Sequence, residues 1–185
     1  MNEYRETLNG RLRALQLEDS PSPWKRVASH MIGGLTEVGY SEGTDLLLVI
    51  SSEGRSLFDC LSGIRMARDH EAPSADANWY DPPRLVALGI NSTSDQFVRL
   101  AGWHGGGLPR FTKDGWSLEL VSPDWPNTSI VLSPPHKSVL IESNSEGCVK
   151  IAEDYEIRAY GFAETGRSFV IAKSHALEIF SRPNA

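Results

Sequence analysis

The sequence is short of cysteine, of long apolar runs and of positive charge. Its 185 residues include two cysteines, Cys60 and Cys148, too few for the disulfide framework that staples small secreted domains. The opening Met1-Asn2-Glu3-Tyr4-Arg5 lacks the basic, then apolar, then small-residue order of a signal peptide. Both features predict a protein of the reducing cytoplasm. The longest apolar run, Leu46 to Ile50, falls far short of the roughly 20 residues that cross a bilayer as a helix, so no membrane role is expected. Lysine and arginine number 18 against 24 acids, a formal charge of −6. A nucleic-acid binder needs a cationic footprint to displace counterions from phosphates, and none is present.

What remains is 40% apolar and 23% charged, the balance of a globular chain. Its length suits a single domain over 1–185. The most informative feature is a repeat. Gly39-Tyr40-Ser41-Glu42 aligns with Gly161-Phe162-Ala163-Glu164, and the register continues without a gap to Leu57-Phe58 over Ile179-Phe180. Each copy reads as strand, glycine turn, apolar strand, polar turn and strand, which is a β-meander. The domain is therefore read as two pseudo-symmetric β halves, 24–69 and 97–182, joined by a loop region, 70–96. A twofold relation between the halves is left open.

Before the first copy, Tyr4, Leu8, Leu12 and Leu15 recur at helical spacing and predict an amphipathic helix over residues 2–17. Ser20-Pro21-Ser22-Pro23 ends it. Strands are predicted at Trp24 to Ser29, Leu35 to Tyr40, Asp45 to Ser51, Ser56 to Leu61 and Ile64 to Arg68. Asp69 to Pro83 loses periodicity and reads as a loop, and Arg84 to Gly89 as a short helix. Further strands are expected at Phe97 to Gly102, Trp116 to Val121, Ser129 to Leu132 and Cys148 to Ile151, ahead of the second meander. The two copies resemble propeller blades, but four blades are the usual minimum. The fold class expected is mainly β, a β-rich α+β fold of antiparallel meanders forming a two-sheet sandwich or a curved sheet, with an N-terminal amphipathic helix.

Catalytic motifs were tested against their structural context. Gly39-Tyr40-Ser41-Glu42-Gly43 matches a nucleophile elbow in spelling, but a strand follows the serine where the elbow needs a helix, and the repeat places Ala163 at the same position. The five histidines show no metal-ligand spacing. Gly105-Gly106-Gly107 precedes a strand where a phosphate loop needs a helix N-terminus. No metal or cofactor is expected.

The segment from Trp103 to Trp125 holds the densest set of recognition-type residues: Trp103, His104, Gly105, Gly106, Gly107, Arg110, Asp114 and Trp125. Aromatic rings and arginine bury large area at low entropic cost, as a contact hot spot requires. The alternative is that the tryptophans are core and the glycines only permit close packing. Acids cluster over Glu37 to Glu53 and Glu142 to Glu156, and Glu142, Glu146, Glu153 and Asp154 are the candidates to face a basic partner. They serve equally well as solvated turns.

Leu47 to Ser52, Phe58-Asp59-Cys60, Ala67-Arg68-Asp69, Gly105 to Pro109, Asp114 to Leu118 and Tyr160-Gly161-Phe162 together make the chain resemble a family of uncharacterised bacterial proteins. The resemblance covers most residues after about 24 and brings no site residues with it. Small acidic bacterial proteins of this kind are often immunity proteins, by analogy. The expected function is a protein-binding module, an immunity-type inhibitor that occludes a bacterial toxin with a basic surface. The alternative is a small hydrolytic or nucleotide-modifying enzyme built on His104, Asp114 and Arg110. Homo-oligomerisation stays open.

Overall fold

The computed structural model describes residues 2–74 and 76–183. Met1, Ala75, Asn184 and Ala185, which the single-domain reading includes, lie outside the described residues. In chain order the elements are α1 (Asn2–Ala14), β1 (Lys25–Met31), β2 (Leu35–Tyr40), β3 (Leu46–Ser51), β4 (Gly54–Asp59), β5 (Ile64–Asp69), β6 (Tyr80–Asp81), β7 (Val86–Leu88), β8 (Phe97–Arg99) and β9 (Ala101–Gly102). They are followed by β10 (Ser117–Asp124), β11 (Asn127–Ser133), β12 (Val149–Asp154), β13 (Ile157–Phe162), β14 (Ser168–Lys173) and β15 (Ala176–Ser181). The chain is mainly β with one N-terminal α-helix, as its alternation and its two meanders predict.

Among the described residues the sheets number four, where a two-sheet sandwich or a curved sheet was expected. They run β5-β4-β3-β2-β9, β6-β7-β8, β10-β11-β12 and β1-β15-β14-β13, all antiparallel. The repeat is structural as well as sequential. The strands β2, β3 and β4 match β13, β14 and β15 in length and spacing at one offset of 122 residues (35 to 157, 46 to 168, 54 to 176). Even the irregular bonds recur: Ser41 and Ala163 amides donate to Leu46 and Ser168 carbonyls, and Ser52 and Ser174 amides to Gly34 and Glu156 carbonyls.

A twofold relation between the copies is excluded by which faces meet. Leu47, Val49 and Phe58 face the second meander, while Leu48, Ile50 and Leu57 face away, onto β7 and β8. In the second copy it is Val170, Ala172 and Ile179, the counterparts of Leu48, Ile50 and Leu57, that face the first. Phe169, Ile171 and Phe180 point onward to Leu118, Ile130 and Leu132 of β10 and β11. Unlike faces of the two copies meet, so these two sheets stack head to tail, in the manner of propeller blades. Each meander is apolar on both faces because each lies between two layers. At the far side Leu8 and Leu12 of α1, with Leu15 just beyond its end, lie over Val121, Val131 and Val139.

Local departures from the sequence reading have plain causes. The helix stops at Ala14, short of residue 17, because Gln16 and Glu18 exchange backbone bonds with Lys150. Residues 84–89 form no helix: Pro82–Arg84 is a single 3-10 turn and Val86–Leu88 is a strand between β6 and β8. The expected strand 97–102 is split, its first half pairing with β7 and its second with β2.

Crossing backbone explains the glycine shared by the two copies. A Cβ on Gly39 would collide with the carbonyl oxygen of Arg99, and one on Gly161 with Leu108 and the carbonyl of Pro109. The segment from β8 to β10 thus runs over β2 and then over β13, where the Phe162 amide donates to the Pro109 carbonyl at 2.7 Å. This path carries the glycine-rich loop across the junction of the two meanders.

Candidate functional site

The loop between β9 and β10 is fixed at its start by a buried acid. Glu37 on β2 is 1% exposed and its Oε1 contacts Nδ1 of His104, while the Tyr80 hydroxyl donates to the same oxygen at 3.1 Å. The Tyr80 hydroxyl is also 3.2 Å from His104 Nδ1. A carboxylate only accepts, so a proton on Nδ1 satisfies this contact and leaves Nε2 as the acceptor nitrogen. Burial, then the charge of Glu37, push the Tyr80 phenol above its usual range, which keeps it a donor.

Trp103 lies beside this anchor. Its ring is 60% exposed, yet its amide donates to the Thr36 carbonyl at 2.9 Å and the Arg158 guanidinium stacks 4.1 Å from the ring centroid. The loop then turns back on β9: the Gly102 amide donates to the Gly105 carbonyl at 2.9 Å. Of the three glycines, Gly106 (φ 78°) is required by space, since a Cβ there would meet the Leu100 carbonyl, while Gly105 (φ 114°) needs only its backbone angle and Gly107 faces open solvent. Arg110 lies 4.4 Å over the ring of Tyr160 on β13. Beyond it Phe111 is exposed. On the other side of Leu108 a groove of about 430 Å³ is lined by Tyr40, Phe97, Arg99, Phe162 and Glu164.

The structure brings Trp103, His104, Gly105, Gly106, Gly107 and Arg110 together and sends the other expected residues elsewhere. Asp114 is not a partner of His104. Its two oxygens take the Arg182 guanidinium at 2.7 and 2.8 Å, and Arg182 in turn stacks 4.5 Å from the Trp24 ring. Those bonds hold the Asp114 carboxyl well below the usual range. Trp125, 83% exposed, caps the β10–β11 turn on another sheet.

The acids are scattered and mostly neutralised. Glu142 lies 3.9 Å from Arg11 of α1, Glu153 is 2.8 Å from Lys150, and Asp154 is 3.9 Å from Lys173 and 4.0 Å from His175. Glu146 is exposed in the loop before β12. In the first acidic stretch Glu37 and Asp45 are buried, and exposed Glu42 and Glu53 stand at opposite ends of β3. Asp45 bonds Arg167 at 2.7 Å, its own counterpart in the repeat.

Glu37 and Tyr80 are the residues that sequence reasoning missed at this site. The sequence does mark Glu37: it is an acid within an apolar meander strand, and the second copy has Ala159 at that position. Tyr80 gives no such signal. Of the nucleophile types in the chain, the Ser41 hydroxyl is engaged with Gln96 Oε1 at 2.6 Å, and Cys60 is buried with its thiol pushed up by burial. With Nδ1 so held, His104 Nε2, which has no hydrogen-bond partner among the described residues, can accept a hydrogen bond or a proton from a ligand. No protein-family model matches this sequence, and no curated protein matches it.

Proposed function

We propose that this protein is a protein-binding module whose contact surface is the Trp103–Phe111 loop, and that it acts as an immunity-type inhibitor by covering the active site of a bacterial toxin. The observation that carries this reading is Trp103: a large ring in solvent, already immobilised by the Arg158 stack, by its amide bond to β2 and by the His104–Glu37 anchor next to it. Binding through such a ring costs little further ordering. The formal charge of −6 steers a basic partner at long range. At the contact itself Arg99, Arg110 and Arg158 call for acidic side chains opposite. The test is capture from native cells with the wild type and with Trp103→Ala, at low and high salt. The expected result is a partner retained by the wild type, released by salt, and weakened at least about tenfold by the substitution, with folding unchanged. Equal capture by both proteins would remove the loop from the interface.

A second reading is favoured by the buried acid alone. A carboxylate that fixes one imidazole nitrogen is how hydrolytic sites orient a general base, and here the acid is Glu37 with Tyr80, in place of Asp114. His104→Gln should then abolish turnover of a hydrolysable or nucleotide substrate while Trp103→Ala spares it. The reverse pattern supports the binding module.

A further inference from the structure

Between the loop and β13 lies a cavity of about 70 Å³, lined by Gly106, Gly107, Leu108, Arg110, Arg158 and Tyr160 among others. Its lining holds two arginines and no acid. Tyr160 is 6% exposed, and its hydroxyl is buried without a hydrogen-bond partner among the described residues. Arg158 Nε is buried and unpartnered in the same way, because the Glu156 carboxylate engages only Nη2, at 2.6 Å. Among the described residues, the amides of Gly106, Gly107 and Leu108 donate to no other protein group. Buried polar groups are nearly always satisfied, and here two residues with an unpartnered buried polar atom, Tyr160 and Arg158, line the same cavity as Arg110. Burial raises the Tyr160 phenol, against the pull of the Arg110 charge, so the hydroxyl stays a donor.

We propose that this cavity receives a single carboxylate, held by Tyr160, Arg158, Arg110 and the free loop amides, and that an Asp or Glu side chain of the protein partner supplies it. The volume selects the ligand. About 70 Å³ of free space suits a group the size of a carboxylate and falls well below the roughly 300–1,000 Å³ of pockets that enclose a drug-sized ligand. Charge-assisted bonds from a guanidinium to a carboxylate are the strong class, and the site is pre-formed, since Arg110 is stacked on Tyr160 and Arg158 on Trp103. The source of the carboxylate rests on the loop being a protein contact surface; the cavity's preference for a carboxylate does not.

The experiment is a titration of the isotope-labelled full chain with sodium acetate at constant ionic strength. It is read at the amides of Gly106, Gly107 and Leu108 and at the Arg158 Nε–H, with inorganic phosphate as the parallel probe. Saturable shifts confined to these groups are expected, with acetate binding weakened about tenfold by Tyr160→Phe, which removes one hydrogen bond to a charged group, and also weakened by Arg110→Gln. No saturable shift with acetate overturns the site and leaves a water-filled cavity; tighter binding of phosphate overturns the carboxylate assignment. The same two variants are then used in partner capture. Loss of the partner supports a side chain as the source, and undiminished capture with lost acetate binding overturns that source in favour of a free carboxylate, leaving the Trp103 test to decide the contact surface.

Discussion

Gly161→Ala is the substitution that most directly tests how the loop is seated. The added Cβ would lie within the contact radius of Leu108 and of the Pro109 carbonyl, the acceptor of the 2.7 Å bond from the Phe162 amide. Backbone cannot rotate aside as a side chain tip can, so the crossing strand must lift or the sheet must bend. Overpacking of this kind costs about 1–3 kcal/mol. With a urea m-value of about 2 kcal/mol/M, the unfolding midpoint should fall by roughly 0.5–1.5 M. Gly39→Ala meets the Arg99 carbonyl in the first copy and should cost a similar amount. The control is Gly107→Ala, where nothing lies near the new methyl; its effect should stay within about 0.5 kcal/mol. The assay is equilibrium urea unfolding of the three variants, with m compared to confirm that the unfolded state is unchanged. Equal midpoints for Gly161→Ala and Gly107→Ala would refute the crossing-chain account.

Other consequences are open to equally direct measurement. Phe180→Ala, in the cluster with Trp24 and Phe169, should cost about 3–5 kcal/mol, read by the same unfolding assay. Arg167→Ala leaves the buried Asp45 carboxylate with only the Thr165 and Ser168 hydroxyls, and should destabilise by about 1–3 kcal/mol. The Asp114 carboxyl is depressed by its bonds from Arg182. Its contribution is therefore complete above the unfolded value of about 4 and fades as pH falls below it. Because Asp114 is nearly half exposed, solvent screening limits that contribution to about 1 kcal/mol or less, and Asp114→Asn should narrow the gap between midpoints at pH 7 and pH 3. Cys60 and Cys148 are free and buried with thiols raised by burial, so a thiol reagent should label them only at the rate of unfolding.

The meanders were legible because their signal is local. Alternation, glycine turns and a gapless register give six strands within a residue or two of where they stand. Sequence also held, unread, the reason for four sheets: Leu46 to Ile50 and Phe169 to Ala172 are apolar at every position, so both faces of each meander need cover, and two sheets cover only one face of each. Strands of two or three residues, such as β6 and β7, carry no periodicity, so residues 80–89 read as loop and helix, while β8 and β9 read as one strand over 97–102. Asp114 pairs with Arg182, 68 residues away, and no spacing rule reaches that far.

A stack that joins unlike faces has a direction, and directional contacts do not close on themselves in pairs. Helix α1 is therefore a terminator as much as a packing element: it covers Val121, Val131 and Val139 at one end of the series. Stripped of that cover, Val121, Val131 and Val139 would form an open apolar sheet face, the kind of patch through which chains associate. Thirteen residues of helix thus separate a finished surface from an open apolar one.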